Sequence, residues 1–319
     1  MLMRCNFLAI SLVDVILIGA NAACSQAYPN KPIRVITSEV GGNGDFTARL
    51  IGQAITRPLG QNVIVDNRPS SINPEIVRKA SPDGYTLLVD GNTLWIAPLL
   101  QKLPYDPVKD FSPITLATIV PQILVIHPSV AVNSVKGLIA LAKAEPGVLN
   151  YASSSSGGPI HLAAELFKSM AGVDIVRIPY KGGGPVTSAI IAGQVQLAFP
   201  SAPAVASYVT SGRLRALAVT SAKPSILVPG VPTLAASGLP GYELVTMFGV
   251  FAPTKTTVTI IHRLNQEIVR VLSNADVKEK FLNSGAEAVS SSSEQLASMV
   301  RSDMTRMNKL IKDARITAD

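Results

Sequence analysis

The stretch IRVITSEVGGNGDFTARLIGQAIT, residues 33–56, decides the fold class because it joins a strand, a glycine-rich loop and a helix. Residues 33–36 are mostly β-branched and are typical of a strand. The loop GGNGD follows at 41–45, and the apolar side chains after it recur every three or four residues, which predicts a helix over 46–56. A strand, a loop and a helix in this order indicate α/β architecture.

The same design recurs in the middle of the chain, without any repeat of the sequence itself. A strand over 149–152 precedes the serine- and glycine-rich loop 153–158, and a helical pattern covers 160–170. Short β-rich runs alternate with helical patterns throughout, so we expect mostly parallel sheets.

The order of these elements predicts two α/β lobes. The helical run from Val258 onwards is expected to pack back on the first lobe, so that lobe 1 comprises residues 28–125 and 246–319 and lobe 2 comprises residues 126–245. Strands near 123–126 and 248–251 would then form a two-strand hinge, and a hinge with two crossings supports closure around a ligand.

Residues 1–27 have the layout of a secretory signal peptide: a positive Arg4, an apolar run and a cluster of small residues. A lipid anchor at Cys24 is the alternative, although Asn21 stands where such sites prefer an aliphatic residue. Both cysteines lie in this leader or at its edge, so the mature chain has no disulfide framework. No second apolar stretch reaches the roughly 20 residues of a membrane span, and we expect a periplasmic protein that is soluble or tethered.

Composition and motifs argue against several functions. The formal charge of +7 can steer anions, but no basic cluster is interleaved with aromatic residues, which argues against nucleic acid. We find no G-x-S-x-G nucleophile motif and no metal-ligand spacing of Cys and His, and we expect no cofactor and no catalysis. The histidines His127, His161 and His262 are far apart in the sequence. We expect a monomer.

The two loops that open helices are the candidate ligand site. In a parallel α/β sheet, ligands bind beyond the carboxyl ends of the strands, where both loops lie. A helix start offers unpaired N–H groups and about half a positive charge, which favours a carboxylate. Three or four such bonds, at roughly 1.5–3 kcal/mol each, supply the roughly 8 kcal/mol of micromolar affinity.

A structural alternative stays open for the same residues. Glycine-rich turns before helices often only make the turn, and Asp45 and Ser156 are also suited to helix capping. His161 lies where it could touch a ligand or support the helix start, and Trp95 could line the cleft or pack beneath a loop.

Motifs along nearly all of the mature chain resemble a known family. They include YPNKPI (28–33), NRP (67–69), PDGYT (82–86), LPYDP (103–107), NYAS (150–153), PYKGG (179–183) and FGVFAP (248–253). The chain resembles the Bug-type extracytoplasmic solute receptors of tripartite tricarboxylate transporters. The resemblance implies a type II-like periplasmic-binding-protein fold, Venus-flytrap closure, a carboxylate ligand held largely by backbone amides, and delivery to membrane transporter subunits.

Departures from the family pattern concentrate at the expected pocket. The residues before the first glycines are Thr37, Ser38, Glu39 and Val40 in place of a Pro-Phe-x-Pro pattern, and the loop 70–74 is shorter than usual. Glu39 would repel an anion, so the ligand is expected to be larger, less anionic or amine-bearing. The candidate ligand-binding residues are Ser38, Glu39, Gly41, Gly42, Asn43, Asp45, Thr93, Ser153, Ser154, Ser155, Ser156, Gly157, Gly158, His161, Pro200 and Ser201.

Two rival functions follow from the same sequence. A sensory receptor that presents its closed form to a membrane signalling protein would use the same closure, and the sequence does not separate it from a transport receptor. A periplasmic hydrolase would need a nucleophile and base, which the motif search does not find.

Overall fold

The computed structural model describes residues 28–154 and 156–317, so the predicted signal peptide, the Cys24 alternative and Ser155 lie outside the described residues. The strands are β1 Ile33–Thr37, β2 Val63–Asn67, β3 Thr86–Gly91, β4 Phe111–Pro121, β5 Ile123–Ile126, β6 Asn150–Ser153, β7 Val176–Pro179, β8 Leu197–Ala198, β9 Arg215–Val219, β10 Val245–Pro253 and β11 Glu287–Ala288. The helices are α1 Asn43–Leu59, α2 Asn73–Arg78, α3 Thr93–Leu100, α4 Val135–Ala144, α5 Pro159–Ala171, α6 Gly183–Ile191, α7 Ala202–Thr210, α8 Val258–Ser273, α9 Ala275–Asn283 and α10 Ser293–Asp313.

Two sheets form two α/β lobes. The first has the strand order β11-β4-β10-β3-β1-β2, and the second has the order β7-β6-β8-β5-β9. Strands β1, β2 and β3 run parallel, as do β6, β7 and β8, whereas β10 is antiparallel to β3 and β4, and β5 is antiparallel to β8 and β9. The sheets are therefore mixed rather than mostly parallel, because the strands next to the crossings between lobes run against their neighbours.

The chain crosses between the sheets at Gln122 and again just before β10. Thr220 joins the two crossings: its Oγ1 accepts a hydrogen bond from the Gln122 amide at 2.9 Å, and its carbonyl accepts one from the Leu244 amide at 2.9 Å. Residues 123–125, which the sequence analysis assigned to lobe 1, pair within the second sheet. Their uniformly apolar sequence gives no sign of which sheet they join.

The core continues from one lobe into the other. A large apolar cluster includes Leu88 and Trp95 of the first lobe and Val125 and Phe199 of the second, and a separate cluster packs α1 and α8 on the opposite face of the first sheet. Trp95 is fully buried, and its Nε1 donates to Asp303 Oδ2 at 2.8 Å. The ring therefore packs within the first lobe and does not line a cleft.

Candidate ligand site between the two lobes

The β1–α1 loop is held in place by Asp45. This buried carboxylate accepts hydrogen bonds from the Gly41 amide at 3.0 Å and from Asn67 Nδ2 at 2.8 Å, and it pairs with Arg49. Burial raises the pKa of the Asp45 carboxyl, but these partners outweigh it and leave the pKa below its usual value. Gly41 adopts φ of 86°, which a glycine accommodates without strain. Asp45 thus shapes the loop from beneath, while Gly41, Gly42 and Asn43 are exposed above it.

Two further residues of this loop differ in their surroundings. The Ser38 carbonyl accepts from Asn67 Nδ2 at 2.6 Å, whereas Glu39 is exposed and accepts from the Ser70 amide at 3.2 Å. Hydrogen bonds from its own amide and from the Ser70 amide lower the pKa of the Glu39 carboxyl, so it is charged at neutral pH.

Asp90 is an acidic residue of this region that the sequence analysis missed. Leu88 pairs with Ile36, so Asp90, two residues further along β3, lies level with Ser38. Its side chain is buried, and Oδ1 accepts from the Gly91 amide at 2.7 Å. Burial raises the pKa of Asp90 to about 7, and the negative charge of Glu39 adds to this effect. The hydrogen bond from the Gly91 amide lowers the pKa but does not outweigh burial. In sequence, Asp90 looks like any polar residue at the end of a strand.

The β6–α5 loop supplies the corresponding feature in the second lobe. Ser153 and Ser154 are buried, and Ser153 Oγ donates to the Ser154 carbonyl at 2.9 Å. Gly157 adopts φ of 71°, and its amide donates to Nδ1 of the buried His161 at 3.1 Å. His161 therefore supports the turn that opens α5.

A third predicted element, Pro200 and Ser201, lies where β8 meets α7. The Pro200 carbonyl accepts from the Ile123 amide at 2.8 Å, and Ser201 forms an isolated β-bridge with Gln122. These two residues are therefore joined to the first crossing between the lobes.

Helices α1, α5 and α7 share an open N-terminus. Their N-cap residues are Gly42, Gly158 and Ser201, and none of the three caps its helix with a side-chain hydrogen bond. Three other helices are capped, because Ser134, Asn274 and Ser292 accept from the first-turn amides of α4, α9 and α10. Helices α2, α3, α6 and α8 also lack a side-chain cap, so what distinguishes α1, α5 and α7 is their place after the predicted site loops. First-turn N–H groups of α1 and, after Pro159, of α5 remain available to a bound anion. Helix α7 offers fewer, because Pro203 has no N–H and the Ala204 amide already donates to the Ser201 carbonyl at 3.0 Å.

A narrow crevice between the lobes brings Thr93 and Gly157 together. It is lined by Asn92, Thr93 and Ile96 of the first lobe, by Gly157, Pro159 and Leu162 of the second, and by Leu244, Val245, Asp303, Arg306 and Met307. The β1–α1 loop and Ser201 do not line it. Near its edge the lobes touch closely: a Cβ added to Gly157 would lie closer than 3.0 Å to Leu100 Cδ1.

In the described part of the chain, no group of three or more His, Cys, Asp or Glu residues is arranged to hold a metal ion. Within residues 28–154 and 156–317, no helix combines the length and apolar character needed to cross a membrane.

Comparison with known proteins agrees with this architecture. Residues 47–316 match the model of the tripartite tricarboxylate transporter family receptors. BugT of Bordetella pertussis is 34% identical over 91% of this chain and 91% of its own length. The structure of Rpa4515 of R. palustris with adipate is 33% identical, has a TM-score of 0.74 and covers 91% of this chain and 99% of that one.

A second solved structure is that of MatC from Rhodopseudomonas palustris with bound malate. It is 27% identical and has a TM-score of 0.69, covering 89% of this chain and all of the other. The family match, the relative and the two-lobed fold agree with one another, and the chain belongs to the tripartite tricarboxylate transporter receptor family.

Proposed function

We propose that this chain captures a small organic acid between its lobes and delivers it, unchanged, to the membrane subunits of a tripartite tricarboxylate-type transporter. The observation that carries the proposal is the set of uncapped helix starts at Gly42 and Gly158, one in each lobe. Backbone donors at a helix start bind a carboxylate without requiring a charged side chain. The adipate and malate in the related structures are carboxylates of this class.

A screen of organic acids against the full chain, followed by thermal unfolding, tests this function. An acid present at 100 times its Kd should stabilise the folded chain by about 2.7 kcal/mol. Mass spectrometry of the recovered acid should show it chemically intact. A screen in which no acid stabilises the chain, or one in which the acid is converted, would overturn the proposal.

The proposed setting is the periplasm, reached through the signal peptide of residues 1–27. Deleting the gene should abolish uptake of the bound acid while leaving the transcriptional response to that acid intact. Loss of the response with normal uptake would instead favour the sensory role.

Glu39 provides a first prediction about specificity. Its exposed carboxylate lies between the end of β1 at Thr37 and the start of α1 at Asn43, so it should repel an acid bound there. Exposed charge pairs contribute up to about 1 kcal/mol. We therefore expect Glu39→Gln to tighten adipate binding by about two- to fivefold, measured by isothermal titration calorimetry.

The matched control is Glu75→Gln, because Glu75 is an exposed carboxylate of the same lobe whose charge Lys79 already neutralises. That variant should bind adipate like the unmodified chain. If Glu39→Gln weakened adipate binding, Glu39 would be a hydrogen-bond acceptor for the ligand and not a source of repulsion.

A further inference from the structure

Arg177 is a charged residue that organises the second-lobe half of the site. It lies in β7, the edge strand of the second sheet, opposite Tyr151 of β6. Its half-buried side chain reaches the β6–α5 loop and makes three hydrogen bonds there. Nε donates to Ser153 Oγ at 2.9 Å, Nη1 to Ser156 Oγ at 2.9 Å and Nη2 to the Ser154 carbonyl at 3.0 Å.

The positive charge of Arg177 is not neutralised by its contacts. All three acceptors are neutral oxygens, and across the described residues no carboxylate lies within ion-pair distance of the guanidinium. By contrast, Arg34 pairs with Asp66, and Arg306 pairs with Asp303. A guanidinium has five N–H donors, so two remain beyond the three used within the loop.

The charge of Arg177 lies against the loop that precedes the open start of α5. The loop that Arg177 holds leads directly to Gly158, the uncapped N-cap of that 13-residue helix. The full charge of Arg177, held at Ser156, and the partial positive charge of the helix start, after Gly158, therefore lie two residues apart along this loop. In the first lobe, by contrast, three carboxyl groups lie in or beside the α1 loop. Asp45 is paired with Arg49, whereas Glu39 and Asp90 have no cationic partner among the described residues and oppose an anion.

We propose that Arg177 is the specificity-determining cation of this receptor: with Ser153, Ser154, Ser156 and the start of α5 it selects one carboxylate of the ligand. The ligand class is an acid whose single obligatory carboxylate is bound in the second lobe. Its far end, which faces the first lobe, needs no negative charge. The inference rests on the proposed function, since it assigns the orientation of the acid within the same cleft.

The test measures binding of adipate and of adipic acid monoamide to the full-length mature chain by calorimetry, at several salt concentrations. The unmodified chain should bind both probes, because one carboxylate suffices. Arg177→Gln should weaken both at least tenfold and flatten the dependence of affinity on salt, since the charge that salt screens is gone. Arg177→Lys keeps the charge and loses the fork of hydrogen bonds, so it should retain the salt dependence with a smaller loss of affinity.

Arg215→Gln is the matched control. Arg215 lies in β9, at the opposite edge of the same sheet, and its Nη1 likewise donates to loop carbonyls, those of Val130 and Val132. This variant removes the same charge from the same lobe and should bind both probes within twofold of the unmodified chain, with an unaltered salt dependence.

The outcomes separate the inference from the function on which it rests. If the unmodified chain binds neither adipate nor any other acid, the proposed function fails. If it binds adipate but Arg177→Gln binds equally well, or if Arg215→Gln loses as much affinity, the role of Arg177 is wrong. Should Arg177→Gln not fold, as judged by its melting curve, the Arg177→Lys variant decides: loss of its salt dependence would overturn the inference.

Discussion

Replacing Gly157 with alanine is expected to weaken ligand binding about fivefold, because the new methyl group would occupy the place where the two lobes touch. Gly157 belongs to the second lobe, and a Cβ there would lie closer than 3.0 Å to Leu100 Cδ1 at the end of α3 in the first lobe. Overpacking costs about 1–3 kcal/mol, and the low end applies here because Leu100 is half-buried and its Cδ1 is the free end of a flexible side chain. If the lobes close on the ligand, that cost falls on the closed, ligand-bound arrangement and reduces affinity, which adipate titration calorimetry measures directly.

Two control variants separate the overlap from backbone strain. Gly172, the C-cap of α5, has φ of 62° and open space around it. Gly172→Ala therefore carries the strain of a left-handed alanine without any overlap. It should lower the melting temperature and leave adipate affinity unchanged. Adding Leu100→Ala to Gly157→Ala removes the obstructing side chain and should restore affinity. Equal affinities for Gly157→Ala and the unmodified chain would show that the lobes need not approach here for binding.

The two lobes approach each other closely at a second place. Gly285, between α9 and β11, has no room for a Cβ because Pro203 of α7 lies against it. Nearby, Ser225 Oγ donates to Glu287, which joins the segment after β9 to β11. The lobes thus meet at two separate places, each with a glycine on one side, and a hydrogen bond between Gln122 and Thr220 joins the crossings. This arrangement suits a rotation about the crossings, since small residues let two surfaces approach without interlocking.

Local patterns were enough to predict the strand–loop–helix units. The helix predicted over 46–56 extends over Asn43–Leu59, because the glycine-rich loop already adopts helical geometry from Asn43. Strand β8 comprises only Leu197–Ala198, although the apolar residues of VQLAF, 195–199, are typical of a longer strand. The two-residue strand β11 has no period that a sequence could show, since it exists only through its pairing with β4.

The charges of the site depend on contacts that no local pattern encodes. The loops at Gly41 and at Ser153 could be predicted because glycine and serine before a helix have a known local use. Arg177 looks in sequence like an ordinary strand residue, and only the register of β7 against β6 brings its side chain to the serine loop. The burial of Asp90 likewise arises from the packing of the first sheet.

Asp90→Asn is expected to stabilise the chain at pH 8 by about 4 kcal/mol and to have little effect near pH 4. The buried Asp90 carboxyl has a pKa of about 7 in the folded chain, against about 3.9 when unfolded. Below pH 4 the group is protonated in both states, so it does not oppose folding. Between pH 4 and pH 7 the carboxyl is ionised in the unfolded chain but still protonated in the folded one. The free energy of unfolding therefore falls as the pH rises, until the folded carboxyl also ionises at its pKa. Asparagine keeps the shape of the side chain and avoids the buried charge.

Urea unfolding of both chains across this pH range measures the difference, which should grow from pH 4 to pH 7 and then level off. Asp303→Asn is the contrasting control, because that buried carboxylate receives Trp95 Nε1 at 2.8 Å and Arg306 Nη2 at 2.8 Å. Its loss leaves Arg306 without its ionic partner and should destabilise the chain at pH 8. Among the described residues, Asp90 has no side-chain hydrogen-bond donor and no arginine or lysine paired with it. The same change of aspartate to asparagine should therefore shift stability in opposite directions at the two positions. If Asp90→Asn instead lowered stability at pH 8, a cation would have to meet the Asp90 carboxylate in solution, and burial alone would not set its pKa.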